Sequence, residues 1–188
     1  HTQGGAFVGQ VFLSETSTFR DVMTLPVTGT YTITIDPSDQ NTGTLTFTLN
    51  AVPENTGTTA IGTPTTVTTT VAGENATRTF PATAGQKITL TVTDNTIPGV
   101  TLAIHTQGGA FVGQVFLSGS STCRGVMTLP VTGTYTITID PQDQNSGTLT
   151  FTLNDVPENT GTTAIGTPTT IDRKSVVEGK SVISCVDL

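Results

Sequence analysis

The chain has 188 residues, enough for one or two small domains, and threonine fills 45 of them while tryptophan is absent. Fourteen acidic against seven basic side chains leave a net charge of −7, and so cation-poor a surface argues against nucleic acid and anionic membranes as partners. No apolar run approaches 18 residues, so no membrane span is expected, and no window carries a sustained helical apolar stripe. β-Branched threonine fits a pleated, half-solvated surface, and the composition reads as all-β.

From the start of the chain, the first feature is a repeat. His1-Thr-Gln-Gly-Gly-Ala-Phe returns at His105, a period of 104 residues. Residues 1–67 and 105–171 differ at eight positions, four of them between Glu15 and Asp21, where a loop is expected. A period of this length is a whole domain. Residues 1–63 therefore read as the second half of one unit plus a linker, and 64–167 as a complete unit. The stretch Val52-Pro-Glu-Asn-Thr-Gly-Thr-Thr-Ala-Ile-Gly-Thr-Pro64, repeated at 156–168, is rich in breakers and reads as that linker.

Eight strands are predicted in the complete unit. They are Thr66–Val71, Ala76–Phe80, Lys87–Thr93, Val100–Ile104, Phe111–Leu117, Val126–Leu129, Thr134–Ile139 and Thr148–Leu153. Val67 and Val71 should share one face, as should Ile88, Leu90 and Val92. In the last two strands Tyr135, Ile137 and Ile139, then Leu149, Phe151 and Leu153, alternate with threonines, giving one apolar and one hydroxyl face. Short strands at this spacing, with turn signals between them, predict an antiparallel β-sandwich. Arg78 falls on the face of Ala76 and Phe80, which predicts an edge strand whose guanidinium reaches water. Residues 105–167 are expected to take the front half 64–104 as partner, since the direct connection at Ile104-His105 closes the shorter loop. The 1–63 half then keeps an open strand edge, a route to self-association. Neighbouring repeats are the other expected partners.

The last 17 residues, Asp172–Leu188, contain no threonine. The run Asp-Arg-Lys-Ser-Val-Val-Glu-Gly-Lys-Ser-Val resembles a translated sequencing adaptor, so 168–188 is set apart as linker remnant and non-native tail. The two cysteines, Cys123 and Cys185, do not make a disulfide framework. Cys123 replaces Phe19 of the earlier copy and reads as a small apolar residue in or near the core.

Few residues suggest chemistry. Asp140, Asp143 and Asn145, with Asp36, Asp39 and Asn41 in the earlier copy, place carboxylates and an amide in one loop, a hard-cation donor set suited to calcium. The same Asp-Pro, Asn and Gly residues are what a turn between two strands needs. Glu54-Asn55 and Glu158-Asn159 read as solvated linker charge, with calcium at a domain junction as the alternative. His1 and His105 read as solvent-facing, and one histidine per unit makes no zinc site. Lys87 is out of phase with its inward neighbours, which argues against a lysine crosslink. Ser118, Ser120 and Ser121 have no neighbouring base, and there is no nucleophile elbow. Asn75-Ala76-Thr77 is a glycosylation sequon. Tyr31 and Tyr135 follow Thr-Gly-Thr and suggest corner tyrosines. No cofactor is expected.

The ordered set Phe80-Pro-Ala-Thr-Ala-Gly-Gln-Lys-Ile-Thr-Leu, Leu129-Pro-Val-Thr-Gly-Thr-Tyr-Thr-Ile-Thr-Ile-Asp and Gly147-Thr-Leu-Thr-Phe-Thr-Leu resembles the bacterial pre-peptidase C-terminal domain family. It is also similar to threonine-rich tandem repeats ahead of YD-repeat (Rhs-type) regions in large secreted proteins. That resemblance implies a jelly-roll-like sandwich in exported, non-catalytic regions, some members binding calcium or polymers such as collagen. Arg78 departs from the apolar residue expected of the family, and no binding residue carries over. The resulting expectation is a non-catalytic spacer repeat of a secreted or cell-surface bacterial protein. The alternative is an extracellular binding module for polysaccharide, protein or calcium. Clustered exposed aromatics, the usual mark of a binding face, are missing from a chain with 5% aromatics.

Overall fold

A computed structural model describes residues 1–157 and 165–166. Among them nine strands form: β1 (Asn55–Thr58), β2 (Thr65–Thr69), β3 (Ala76–Ala82), β4 (Lys87–Thr93), β5 (Val100–Thr106), β6 (Phe111–Leu117), β7 (Thr122–Thr128), β8 (Gly133–Pro141) and β9 (Gly147–Asp155). They build two facing sheets, β1-β3-β8-β5-β6 and β2-β9-β4-β7. The protein is an all-β sandwich. Every strand pair is antiparallel except β1 with β3, which is parallel.

Period-two alternation decides which side chains meet between the sheets. Buried and half-buried residues alternate without interruption along β4 and β5. Ile88, Leu90 and Val92 face Leu149, Phe151 and Leu153 across the β4–β9 ladder and its neighbours, and Ile137 and Ile139 lie inward on β8, all fully buried. Each such side chain contributes about 1.5–3 kcal/mol on burial. On the outer face of β2 and β9, threonines stand opposite one another. Thr66 and Thr150 share a hydroxyl hydrogen bond of 2.9 Å, as do Thr68 and Thr148. Threonine thus serves both sides of the strand problem, with a β-branched backbone preference and a wettable face.

Tyr135 ties the entry to β8. Its hydroxyl donates to the Val131 carbonyl at 2.6 Å and accepts from the Val131 amide at 3.1 Å, while its ring stacks on Phe80 at 5.5 Å. This is the corner arrangement expected of that residue.

Several expectations need correction. Val71 lies beyond the end of β2 and is only half-buried, because the chain turns at Val71–Glu74 with Gly73 at φ 81°. β7 begins at Thr122, four residues before the predicted start. The stretch 52–64 is not a free linker. Asn55–Thr58 is a strand, Ile61 packs against the core, and the Gly62 amide donates to the Leu153 carbonyl at 2.6 Å. Cys123 is disulfide-bonded rather than a lone apolar thiol. Cys185 and the tail from 167 onward lie outside the described residues.

Residues 1–54 contain no strand, although they repeat 105–158 almost letter for letter. The register explains why. β8 is hydrogen-bonded on one edge to β3 and on the other to β5, and β9 to β2 and β4. Those ladders are supplied by residues 65–106. None of β6, β7, β8 and β9 is a ladder partner of another, so the matching residues of 1–54 form a single isolated bridge, Thr2–Tyr31, and extended chain without a ladder is not a sheet.

Candidate functional site

A dense polar arrangement lies where β1 meets β3 and the β2–β3 turn. β1 runs parallel to β3, with Asn55 beside Ala76 and Thr58 beside Thr79. β3 is therefore an interior strand, and Arg78 does not reach past an open edge as expected. Its Nη1 donates to the Asn55 carbonyl at 3.0 Å and to the Thr77 carbonyl at 2.8 Å, and its Nη2 donates to Asn55 Oδ1 at 3.0 Å. Gly57 lies over the arginine stem, and a Cβ there would sit 3.2 Å from Arg78 Cδ.

Asn55 is the hub. Its Nδ2 donates to the Thr68 carbonyl at 2.7 Å and to Glu74 Oε1 at 2.8 Å. Glu74 is 3% exposed and accepts further bonds from the Thr70 and Val71 amides at 2.7 and 3.1 Å and from the Thr70 hydroxyl at 3.1 Å. Burial pushes the Glu74 carboxyl up, but the Thr70 amide, the Asn55 amide and the Val71 amide together hold it below the usual glutamate value. One amide side chain thus joins a cation and a carboxylate from two parts of the fold, β3 and the β2–β3 turn. Asn55 is not the solvated linker residue the sequence suggests. Glu54 is exposed, and Glu158 and Asn159 lie outside the described residues.

The loop of the candidate cation ligands is divided. Asp140, next to last in β8, is half-buried and lines a crevice with Phe19, Asp21, Thr101 and Asp143. Burial first, and then the Asp21 carboxylate, push Asp140 above the usual aspartate value. Asp143 is exposed at φ 54°, in the left-handed turn conformation that aspartate tolerates. Asn145 turns away and donates through its side-chain amide to the Pro98 carbonyl, while the Gln142 amide donates to Gly99. Those two bonds tie the loop to the β4–β5 connection. Asp36, Asp39 and Asn41 are exposed, with Asp39 at φ 56°. Among the described residues no group of three or more histidine, cysteine, aspartate or glutamate side chains is placed to hold a metal ion.

The remaining candidates are dispersed. His105 is half-buried on β5 with its ring edge-on to Phe111 at 5.7 Å, and His1 repeats that contact with Phe7. Lys87 lies on the outer face of β4. Asn75 of the sequon is half-buried, and its side-chain oxygen is enclosed without a hydrogen-bond partner. Ser118, Ser120 and Ser121 lie between β6 and β7, where the Ser120 carbonyl accepts from the Asn95 amide at 2.9 Å.

No family model and no curated protein matches the chain. Among solved structures, it is similar to the pre-peptidase C-terminal domain of a Bacillus anthracis collagenase, at 16% identity and a TM-score of 0.47, over 55% of this chain and 99% of that one. It is also similar to PliG, a periplasmic inhibitor of g-type lysozyme from Aeromonas hydrophila, at 13% identity and a TM-score of 0.37, over 54% of this chain and 99% of that one.

Proposed function

We propose that the chain is a non-catalytic spacer of repeated β-sandwich units in a secreted or cell-surface bacterial protein, its partners being neighbouring units. The observation that carries this reading is the Asn55 hub. Asn55–Thr58, which we read as part of the joint between successive units, adds a parallel strand beside β3, and Asn55 is held there by Arg78 and Glu74. A joint held by a ladder and a buried polar network transmits length and direction better than a glycine-rich coil. The near-identity of the two copies fits a part whose length matters more than any one surface. The threonine-rich, cation-poor composition and the resemblance of its motifs to exported domains support a place outside the cell.

Pulling the chain from residue 1 and residue 157 in a force spectrometer tests this. A spacer gives a single large unfolding step for 55–157, with residues 55–58 released in the same step. Early release of 55–58 at low force, as from a slack tether, refutes the joint. Saturable binding of soluble collagen or a polysaccharide to the folded chain favours the binding-module reading.

A second reading places a cation beside Asp140. It is favoured by the crevice that Asp21 and Asp140 line together, where a divalent ion offsets the like charges. Millimolar calcium that raises the melting temperature of the wild type, and not of Asp140→Asn, supports it. An unchanged melting curve removes it.

A further inference from the structure

Residues 1–54 carry the sequence of 105–158 with few changes, and several local contacts recur. The Thr2 amide donates to Ala6 at 2.9 Å, as the Thr106 amide does to Ala110. The Tyr31 hydroxyl donates to the Val27 carbonyl at 2.5 Å, as Tyr135 does to Val131 at 2.6 Å. The isolated bridge Thr2–Tyr31 is the register partner of Thr106–Tyr135, the last pair of the β5–β8 ladder. These turns and the bridge recur, yet the side chains whose counterparts face inward are bare. Ile33 and Phe47 are 52% and 55% exposed, while their counterparts Ile137 and Phe151 are 0% exposed. A monomer rarely leaves so much contiguous apolar surface open.

The fold itself shows what covers this sequence. Around Ile137 and Phe151 the ladders come from β3, β5, β2 and β4. We propose that residues 1–54 are an acceptor for a further copy of residues 65–104, which completes a sandwich by strand complementation. The claim stands apart from the spacer reading, since it needs only that like sequences take like partners. Among the described residues the one such donor, 65–104, is already seated on 105–157. The occupant of 1–54 is therefore a further copy of that donor segment, not the one already seated.

The test adds a synthetic peptide of residues 65–104 to the full chain. The expected result is saturable binding of one peptide per chain, with slowed amide exchange at 29–37 and 43–51, the counterparts of β8 and β9. Ile33→Asp with Phe47→Asp abolishes that binding while leaving the melting of 55–157 unchanged. No binding by a soluble peptide, protection confined to other residues, or full binding by the double variant each overturns the proposal. Should the peptide precipitate, a copy of residues 55–104 joined ahead of His1 replaces it. The calorimetric unfolding enthalpy then roughly doubles, because enthalpy scales with the number of folded residues. An unchanged enthalpy overturns the proposal equally.

Discussion

Ile33→Ala and Ile137→Ala make the same change in the same sequence, Thr-Ile-Thr, at two places that differ only in tertiary partners. Ile137 is fully buried on β8, beside Arg78 on one strand and Ile104 on the other. Truncation to alanine removes three carbons, about 2.4 kcal/mol at roughly 0.8 kcal/mol per methylene. The cavity left behind brings the total to about 2–5 kcal/mol. For a sandwich of this size that lowers the melting temperature on the order of 10 °C or more. Ile33 is half in water already, so its truncation shifts stability by no more than about 0.5 kcal/mol. Effects on the unfolded chain cancel between the two, because the local sequences match. Thermal or urea unfolding, followed by circular dichroism, reads both. Equal losses refute the reasoning, for they mean that 65–104 divides its time between the two acceptors.

Other outcomes follow from the junction and the Asp140 crevice. Asn55→Ala leaves Arg78 and Glu74 without their shared partner and costs about 1–3 kcal/mol, with faster amide exchange at 55–58. Glu74 sits below its usual value when folded, so its contribution is present at neutral pH and lost as pH falls through that value. Acid titration of the melting temperature should therefore show a steep limb that Glu74→Gln flattens. Asp140 has the opposite sign. Its folded value is raised, so ionisation costs stability, and Asp140→Asn should raise the melting temperature at pH 7 with the gain vanishing in acid. A gain that persists in acid would show that another effect of the substitution is at work.

Much of the sandwich was legible in the sequence because threonine alternates with Ile, Leu and Phe strictly enough to mark both strand and face. Tyr135 was legible from the Thr-Gly-Thr entry before it. β1 was not, since Asn55-Thr-Gly-Thr58 carries no apolar alternation and owes its strand state to the free edge of β3. Arg78 was the one available signal: a guanidinium on an inward face requires an acceptor, and that acceptor was Asn55 rather than water. The Asp140 loop was legible as a turn, but not its division, because Asn145 is drawn to the Pro98 carbonyl, which is remote in sequence.

The two copies separate local from tertiary causes within a single chain. Sequence by itself set the turns, the left-handed Asp39 and Asp143, the tyrosine corners and the two-faced pattern, all of which recur wherever the letters recur. Only tertiary structure decided which copy became sheet. Hydrogen-bond ladders and a dry interior need partners from 65–104, and among the described residues that segment is seated on 105–157.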